Sequence, residues 1–262
     1  MAIDGLREAG RDSIGTTKQG IGPAYEDKAA RRGVRMGDLL SADKLRTKLV
    51  QNIEAWKPVI AALGGKNLDL DSWVDEYLGY GRELAPLIGD AARPVQRAIY
   101  SGKRVLLEGA QGAMLDVDSG TYPFVTSSST TAGGACTGAG IGPTDIKAVL
   151  GITKAYTTRV GAGPFPTEIH GAGGERLREA GLEFGAVTGR AGRGGWLDIP
   201  ALRDAARING LSGLAITKVD VRTGMEEIAL CDAYEQNGKR LDAPPYDRLE
   251  DVTPIYESFP GW

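Results

Sequence analysis

The stretch from Val105 to Pro143, VLLEGAQGAMLDVDSGTYPFVTSSSTTAGGACTGAGIGP, constrains the fold more than any other part of the chain. It opens on Val105-Leu106-Leu107, an apolar run that predicts a buried strand. The run ends in Glu108-Gly109-Ala110-Gln111-Gly112, where glycines let the backbone turn sharply or let a ligand come close. Asp116, Asp118 and Thr126 follow, then glycines at 133, 134, 138, 140 and 142. Ligands of an open α/β sheet sit where strands end in such loops. Small residues, hydroxyls and bare N–H groups suit a phosphate or a sugar. On spacing alone, a glycine-rich surface loop without function stays open as the alternative, although loops of this length usually serve a function.

Composition narrows the classes. The 38 glycines among 262 residues are about twice the usual share of roughly 7%. They cluster in 109–142, 161–174 and 185–195, so they mark loops and not low complexity. A net charge of −3 gives no electrostatic case for nucleic acid or an anionic membrane. No apolar run approaches the roughly 20 residues of a membrane span, and MAIDGLREAG lacks a signal-peptide core. Two cysteines, Cys136 and Cys231, suggest no disulfide framework and fit a reducing, cytoplasmic setting. His170 is the one histidine, and in its glycine-rich surroundings it reads as exposed and not catalytic.

Along the chain, residues 2–10 read as the tail of a helix ending at Gly10. Gly15, Gly20, Gly22 and Pro23 oppose a helix until about Ala24, after which Lys28, Arg31, Arg32 and Arg35 mass together. With Thr16 and Thr17 these make either a phosphate grip or a solvated basic helix face. Residues 41–101 read as a helical insert. Ser41, Asp71 and Asp90 are its candidate caps, Leu45, Leu49, Ile53 and Trp56 form one face, Pro58 marks a break or kink, and Val95 and Ile99 are expected to be buried. Its aromatics read as core and not as a base-stacking platform. Ile146–Val160 predicts one long strand or a strand pair. The glycine loop 185–196, carrying Thr188, Arg190 and Arg193, either holds a carboxylate or is a plain connection, and a helix starts near Leu197. Leu214-Ala215-Ile216 predicts a strand that leads into Thr217-Lys218-Val219-Asp220. One ionised carboxylate can accept from both N1–H and N2–H₂ of guanine, and a lysine stem can cover the base face. Met225–Tyr234 predicts a further strand, Asn237-Gly238 a hairpin turn, and Pro244, Pro245 and Pro254 an irregular tail. The ending Phe259-Pro260-Gly261-Trp262 reads as an interruption.

EGAQG, DVDSGTYPFVTSSSTTAGG and TGAGIGP resemble the adenylosuccinate synthetases, and the likeness runs from about Ser13 to the last residue. The resemblance implies an α/β fold with a central, largely parallel sheet, flanking helices and a helical insert. It implies a single 1–262 domain fragment, with 41–101 as the insert and 102–262 as the sheet-forming core with ligand loops. It implies GTP-dependent ligation of L-aspartate to inosine monophosphate (IMP), with Mg²⁺ as cofactor. Gln111 would then hold the 6-position of IMP. Thr17, Thr126 and Arg190 would contact IMP, and Arg31 would reach across a homodimer to the other subunit's IMP. Ala186, Val187, Thr188, Gly189, Arg190, Ala191 and Gly192 would form the aspartate loop. Lys218, Val219 and Asp220 would read the guanine of GTP.

The family's phosphate-cradling glycine loop, magnesium ligands, aspartate base and histidine acid match no residue here. Neither a WGDEGKGK-type loop nor GxxxxGK[ST] occurs in the chain. The expectation is a central fragment without its own acid–base pair. It also departs from the family pattern at Gln19 and Gly192, where arginines are usual. Two lost charge-assisted contacts would weaken aspartate binding by several kcal/mol, at roughly 1.5–3 kcal/mol each. The alternatives are a non-catalytic remnant that binds purine nucleotide or dimerises, and a relative acting on another purine monophosphate or amino donor.

Overall fold

The structure, a computed structural model, describes residues 1–9, 14–65, 69–185, 189–245 and 247–262. It divides into two compact units, Met1–Val105 and Leu106–Trp262. The expected helix end at Gly10 falls outside the described residues, as do Ser13 and the loop positions Ala186, Val187 and Thr188.

The N-terminal unit is helical: α1 (Ala2–Glu8), α2 (Ile21–Ala29), α3 (Ala42–Ala62), α4 (Leu70–Leu84) and α5 (Ala92–Tyr100). Helix α2 begins earlier than its glycines and proline suggested. Pro23 falls in the first turn, where a missing N–H costs no helical hydrogen bond. Ser41 caps α3, which buries Leu45, Trp56 and Ile60. Pro58 neither ends nor breaks that helix in sequence terms: it continues to Ala62, anchored by Trp56 and Ile60 on either side. The indole of Trp56 donates to Asp27 at 2.9 Å, and the guanidiniums of Arg7 and Arg32 stand 5.1 and 5.3 Å from its ring. So the tryptophan is core, but a core faced with cations. Asp69, not Asp71, caps α4 by accepting from the Ser72 N–H. Asp90 accepts from the first N–H groups of α5, whose Val95 and Ile99 are only half-buried.

In the C-terminal unit the glycine-rich run 132–139 is helix α6 (Ala132–Ala139) and not loop. A Cβ at Gly134 would lie 2.7 Å from the Ser129 hydroxyl, so the missing side chain lets the helix press on the preceding segment. The predicted strand pair is β1 (Leu150–Lys154) and β2 (Thr157–Arg159). Helix α7 (Ala172–Gly181), β3 (Arg193–Gly195), β4 (Leu197–Asp198) and α8 (Ile199–Asn209) follow, then β5 (Gly213–Thr217), β6 (Glu227–Gln236), β7 (Lys239–Leu241) and β8 (Thr253–Pro260). The α/β class stands, but the strands do not make one largely parallel sheet. β1 pairs β5 in parallel, β2 pairs β3 antiparallel, and β6 carries β4 in parallel with β7 and β8 antiparallel. The tail is irregular around Pro244 and Pro245, as expected, but Pro254 lies in β8, which pairs with β6 from Glu227↔Pro260 to Glu235↔Thr253 with a bulge between Cys231 and Ala233. The prolines of β8 sit at strand ends, where a missing N–H is tolerated. Asn237 and Gly238, both with positive φ, turn β6 into β7 as predicted.

Val105–Leu107 forms no strand, and Leu106 is 91% exposed. An apolar run becomes a strand only beside a neighbour that takes its N–H and C=O groups, and the described residues supply none. Among the described residues no helix is long and apolar enough to cross a membrane.

The core of this unit follows β6, where Ile228, Ala229, Cys231, Ala233 and Tyr234 are buried. The Tyr234 hydroxyl donates to Asp198 at 2.5 Å. Burial pushes the Asp198 carboxyl up, against the opposing pull of Tyr234 and the Ala201 N–H. Removing the hydroxyl leaves a buried carboxyl short of a donor. Tyr234→Phe is therefore expected to lower stability by about 1–3 kcal/mol, read as a reduced urea midpoint at unchanged slope.

Candidate functional site

The candidate site is a cleft of about 480 Å³ in the C-terminal unit. One wall is the loop after Glu108. Gln111 takes a left-handed backbone (φ 58°) and lines the cleft together with Met114 and Leu115. Lys154, Tyr156, Thr157 and Arg159 around the β1–β2 break also line it, as do Asp198 and Tyr234. Hydrogen-bonding side chains are thus mixed with apolar ones such as Ile152, Phe165 and Leu202, the usual make-up of a small-molecule site.

Asp116 shapes the first wall. One carboxylate oxygen accepts from the N–H groups of Asp118 and Ser119, both at 3.0 Å. The other accepts from the Ser129 hydroxyl at 2.9 Å and the Thr130 N–H at 2.7 Å. Burial works to raise its pKa, but these four donors outweigh burial and hold it below the ordinary aspartate value. Thr130 in turn donates its hydroxyl to the Gly112 carbonyl at 2.8 Å. The Thr130 hydroxyl thus closes the 112–130 loop at its ends, and the buried Asp116 carboxylate ties residues 118–119 to 129–130 within it.

Arg159 continues the frame, donating to Thr121 and to the Phe124 and Ala162 carbonyls. Burial, then the nearby Arg193, lowers its pKa. Arg193, read from sequence as part of a carboxylate-holding loop, is a frame residue too. It pairs with Glu168 at 2.5 Å, donates to the Gly163 carbonyl at 2.9 Å and lies 5.3 Å from the Phe165 ring. Its fork closes the turn-rich 161–168 connector.

Of the residues singled out in the sequence, Gln111 is in the cleft lining, while Thr126 and Arg190 are not among the described lining residues. Thr126 stands behind the wall, its N–H bound to the Leu115 carbonyl at 2.9 Å. Arg190 is exposed, and its carbonyl accepts from the Gly185 N–H at 2.8 Å. Gly189 has a positive φ of 63°, and Ala191 bridges Phe184 antiparallel. A Cβ on Gly192 would lie 2.9 Å from the Glu183 carbonyl oxygen, so the arginine usual in the family has no ready place at this loop base.

Lys218, Val219 and Asp220 follow the C-terminal end of β5. Lys218 has φ 55°, and its ammonium donates to the Gly181 carbonyl. Asp220 is exposed. In the N-terminal unit Thr17, Gln19 and Arg31 are exposed, Arg31 in the left-handed conformation (φ 63°) just past α2. Neighbouring Thr16 is committed to shaping its loop, giving its N–H to Glu8 and its hydroxyl to Asp4. The basic cluster is partly spent on structure, because Arg32 pairs with Asp27 at 2.8 Å.

Sequence reasoning missed Asp198, Tyr156 and Glu183. Only Asp198 left a signal, as a helix-starting Asp before Ile199-Pro200. Asp116→Ala would leave three N–H groups without an acceptor and is expected to cost about 3 kcal/mol near neutral pH. Because the folded pKa is depressed, that contribution is present above the unfolded aspartate value and is lost as pH falls through the folded one. Urea unfolding of both proteins from pH 7 into the acid range should show the gap narrowing. A gap that widens in acid would contradict the assignment.

Comparisons with known proteins agree along the whole chain. The family model "Adenylosuccinate synthetase" matches residues 1–262. The chain is 53% identical over 263 residues to the adenylosuccinate synthetase of Sorangium cellulosum, covering 99% of this chain and 62% of that protein. It is 53% identical over 265 residues to the enzyme of Moorella thermoacetica, again with 99% and 62% covered. Among solved structures, fully ligated adenylosuccinate synthetase from Plasmodium falciparum superposes with a TM-score of 0.92 at 38% identity, covering 99% of this chain and 63% of that one. The chain thus spans about three fifths of the length of the relatives it matches. With its EGAQG wall, its TKVD turn and this end-to-end match, the chain belongs to the adenylosuccinate synthetase family.

Proposed function

We propose that the protein acts in purine nucleotide biosynthesis, joining L-aspartate to IMP at the expense of GTP to give adenylosuccinate. Gln111 carries this reading. Its left-handed backbone sets a primary amide, both donor and acceptor, on the wall of a cleft of nucleotide-fragment size. Such an amide suits the 6-oxygen and N1–H edge of hypoxanthine. In the reaction, GTP phosphorylates the 6-oxygen and the aspartate amine then displaces that phosphate. Thr17, Thr126 and Arg31 from a second subunit of a homodimer would hold the 5′-phosphate. Arg190 with the 186–192 loop would orient aspartate, and Lys218, Val219 and Asp220 would read guanine. The chain's own contribution is positioning and charge placement.

In this reading proton transfer belongs to groups that match no residue of the chain, so the 262 residues alone do not turn over. Among the described residues no three His, Cys, Asp or Glu side chains come together to hold a metal ion, and the roles given to this chain's residues involve none. One observation favours a variant of the reading. The close approach of Gly192 to the Glu183 carbonyl removes the space for the usual arginine, which suits an amino donor with less negative charge than aspartate.

Calorimetry of the 262-residue chain with IMP tests the core of the proposal. Wild type is expected to bind, and Gln111→Ala to weaken binding about tenfold, the effect of losing roughly 1.5 kcal/mol of hydrogen bonding. Equal affinity for both proteins would remove Gln111 from the site. An assay with IMP, GTP, Mg²⁺ and aspartate should give no adenylosuccinate from this chain, and clear product would refute its inactivity.

A further inference from the structure

Glu183 lies where three parts of the C-terminal unit meet. Its carboxylate accepts from Lys154 Nζ at 2.5 Å and from the Tyr156 hydroxyl at 2.5 Å, both at the end of β1. Lys218 Nζ stands 3.6 Å from the same carboxylate, just past β5. The side chain is 11% exposed, so the two ammonium groups share one largely buried counter-charge. Its main chain does something else. The Glu183 carbonyl accepts from the Gly192 N–H at 2.8 Å, and next to it Phe184 bridges Ala191 while the Gly185 N–H binds the Arg190 carbonyl. One residue therefore takes part in the pairing of 183–185 with 190–192 through its backbone and holds the end of the β5 turn with its side chain.

We propose that Glu183 is a positioning residue that fixes Lys218 and ties it to the backbone pairing of residues 183–185 with 190–192, so that a ligand engaging Lys218 is felt at that pairing. The mechanical part stands on geometry alone; the ligand part rests on the guanine role given to Lys218 above. Lysine carries a flexible four-carbon stem, and its ammonium holds one place only if something holds it. Without the carboxylate, Lys154 and Lys218 lose the counter-charge they share, and among the described residues Lys218 keeps the Gly181 carbonyl as acceptor. The carboxylate that holds Lys218 and the carbonyl on which Gly192 closes belong to the same residue, so a shift of its main chain to follow Lys218 reaches the Gly192 contact directly. The space at Gly192 is already too small for a Cβ, so the loop base has little slack to absorb that movement. The coupling passes through contiguous bonded groups, and it makes separate demands on each end.

Hydrogen exchange on the full 262-residue chain, followed by mass spectrometry, tests the link. Lys218→Met, 26 residues away from Gly192 in sequence, is expected to speed exchange of the Gly185, Gly189 and Gly192 amides about tenfold, as is Glu183→Gln. The β6–β8 amides serve as the internal reference. Unchanged loop exchange in both variants overturns the proposal, and so does an equal rise in β6–β8, which would be general destabilisation. A second arm titrates GDP. Glu183→Gln is expected to weaken GDP about tenfold, with Glu183→Asp recovering part of the loss. Equal GDP affinity in wild type and Glu183→Gln overturns the claim that Glu183 fixes Lys218. If wild type itself binds no GDP, the guanine reading of Lys218 fails, and the exchange arm still decides the mechanical link.

Discussion

The cleft depends on the carboxylate of Asp116. Residues 116–131 are rich in small and hydroxyl side chains and form no strand, so no backbone ladder sets their path. Four donors converging on one buried anion do, because charge-assisted hydrogen bonds are about twice as strong as neutral ones. They join residues 118–119 to 129–130 and leave Gln111 on a turn whose far side is already fixed. The wall is then rigid before any ligand arrives, which is what a positioning site requires.

The same economy explains why so few of the charged residues near the cleft are open to a ligand. Arg159 and Arg193 look from their composition like anion grips. Each has its fork filled by carbonyls, hydroxyls or Glu168. They replace the regular ladder that the 161–168 connector lacks, satisfying its carbonyls with planar multi-donor side chains. Charge at these two positions is first a means of holding irregular backbone.

Much of this was legible in the sequence, and the limits have physical causes. The β1–β2 break, β5 and the Asn237-Gly238 turn follow from local pattern and turn chemistry, which act over a few residues. Gln111 between glycines and the TKVD turn after an apolar strand could be read because their chemistry is local as well. What could not be read was set by partners distant in sequence. Val105–Leu107 has strand composition but lacks a neighbouring strand among the described residues, while β8 becomes a strand despite its prolines because β6 lies beside it. Glu183 sits in an ordinary stretch, and its importance comes from Lys154, Tyr156 and Lys218, at distances of 27 to 35 positions. The glycines of α6 were misread as loop because their use, a close approach to Ser129, is tertiary.

The β1–β5 pair shows how these constraints combine. A two-stranded parallel ladder is weak on its own, and parallel strands are normally covered on both faces. Here Ile152 is 76% exposed, and Leu150, Leu214 and Ile216 are exposed too, so burial contributes little to holding the pair. What fixes it is at its C-terminal end. The Thr217 hydroxyl donates to the Thr153 carbonyl, and Glu183 gathers Lys154 from one strand and Lys218 from beyond the other. Burial works to raise the pKa of that carboxylate, yet the cations and Tyr156 hold it below the ordinary value, so it stays charged where both strands end. The pair is thus pinned at the end where ligands of parallel sheets bind. The electrostatics that hold the two strand ends are concentrated on one carboxylate shared by Lys154, Tyr156 and Lys218, and a change at any of them is felt by the others.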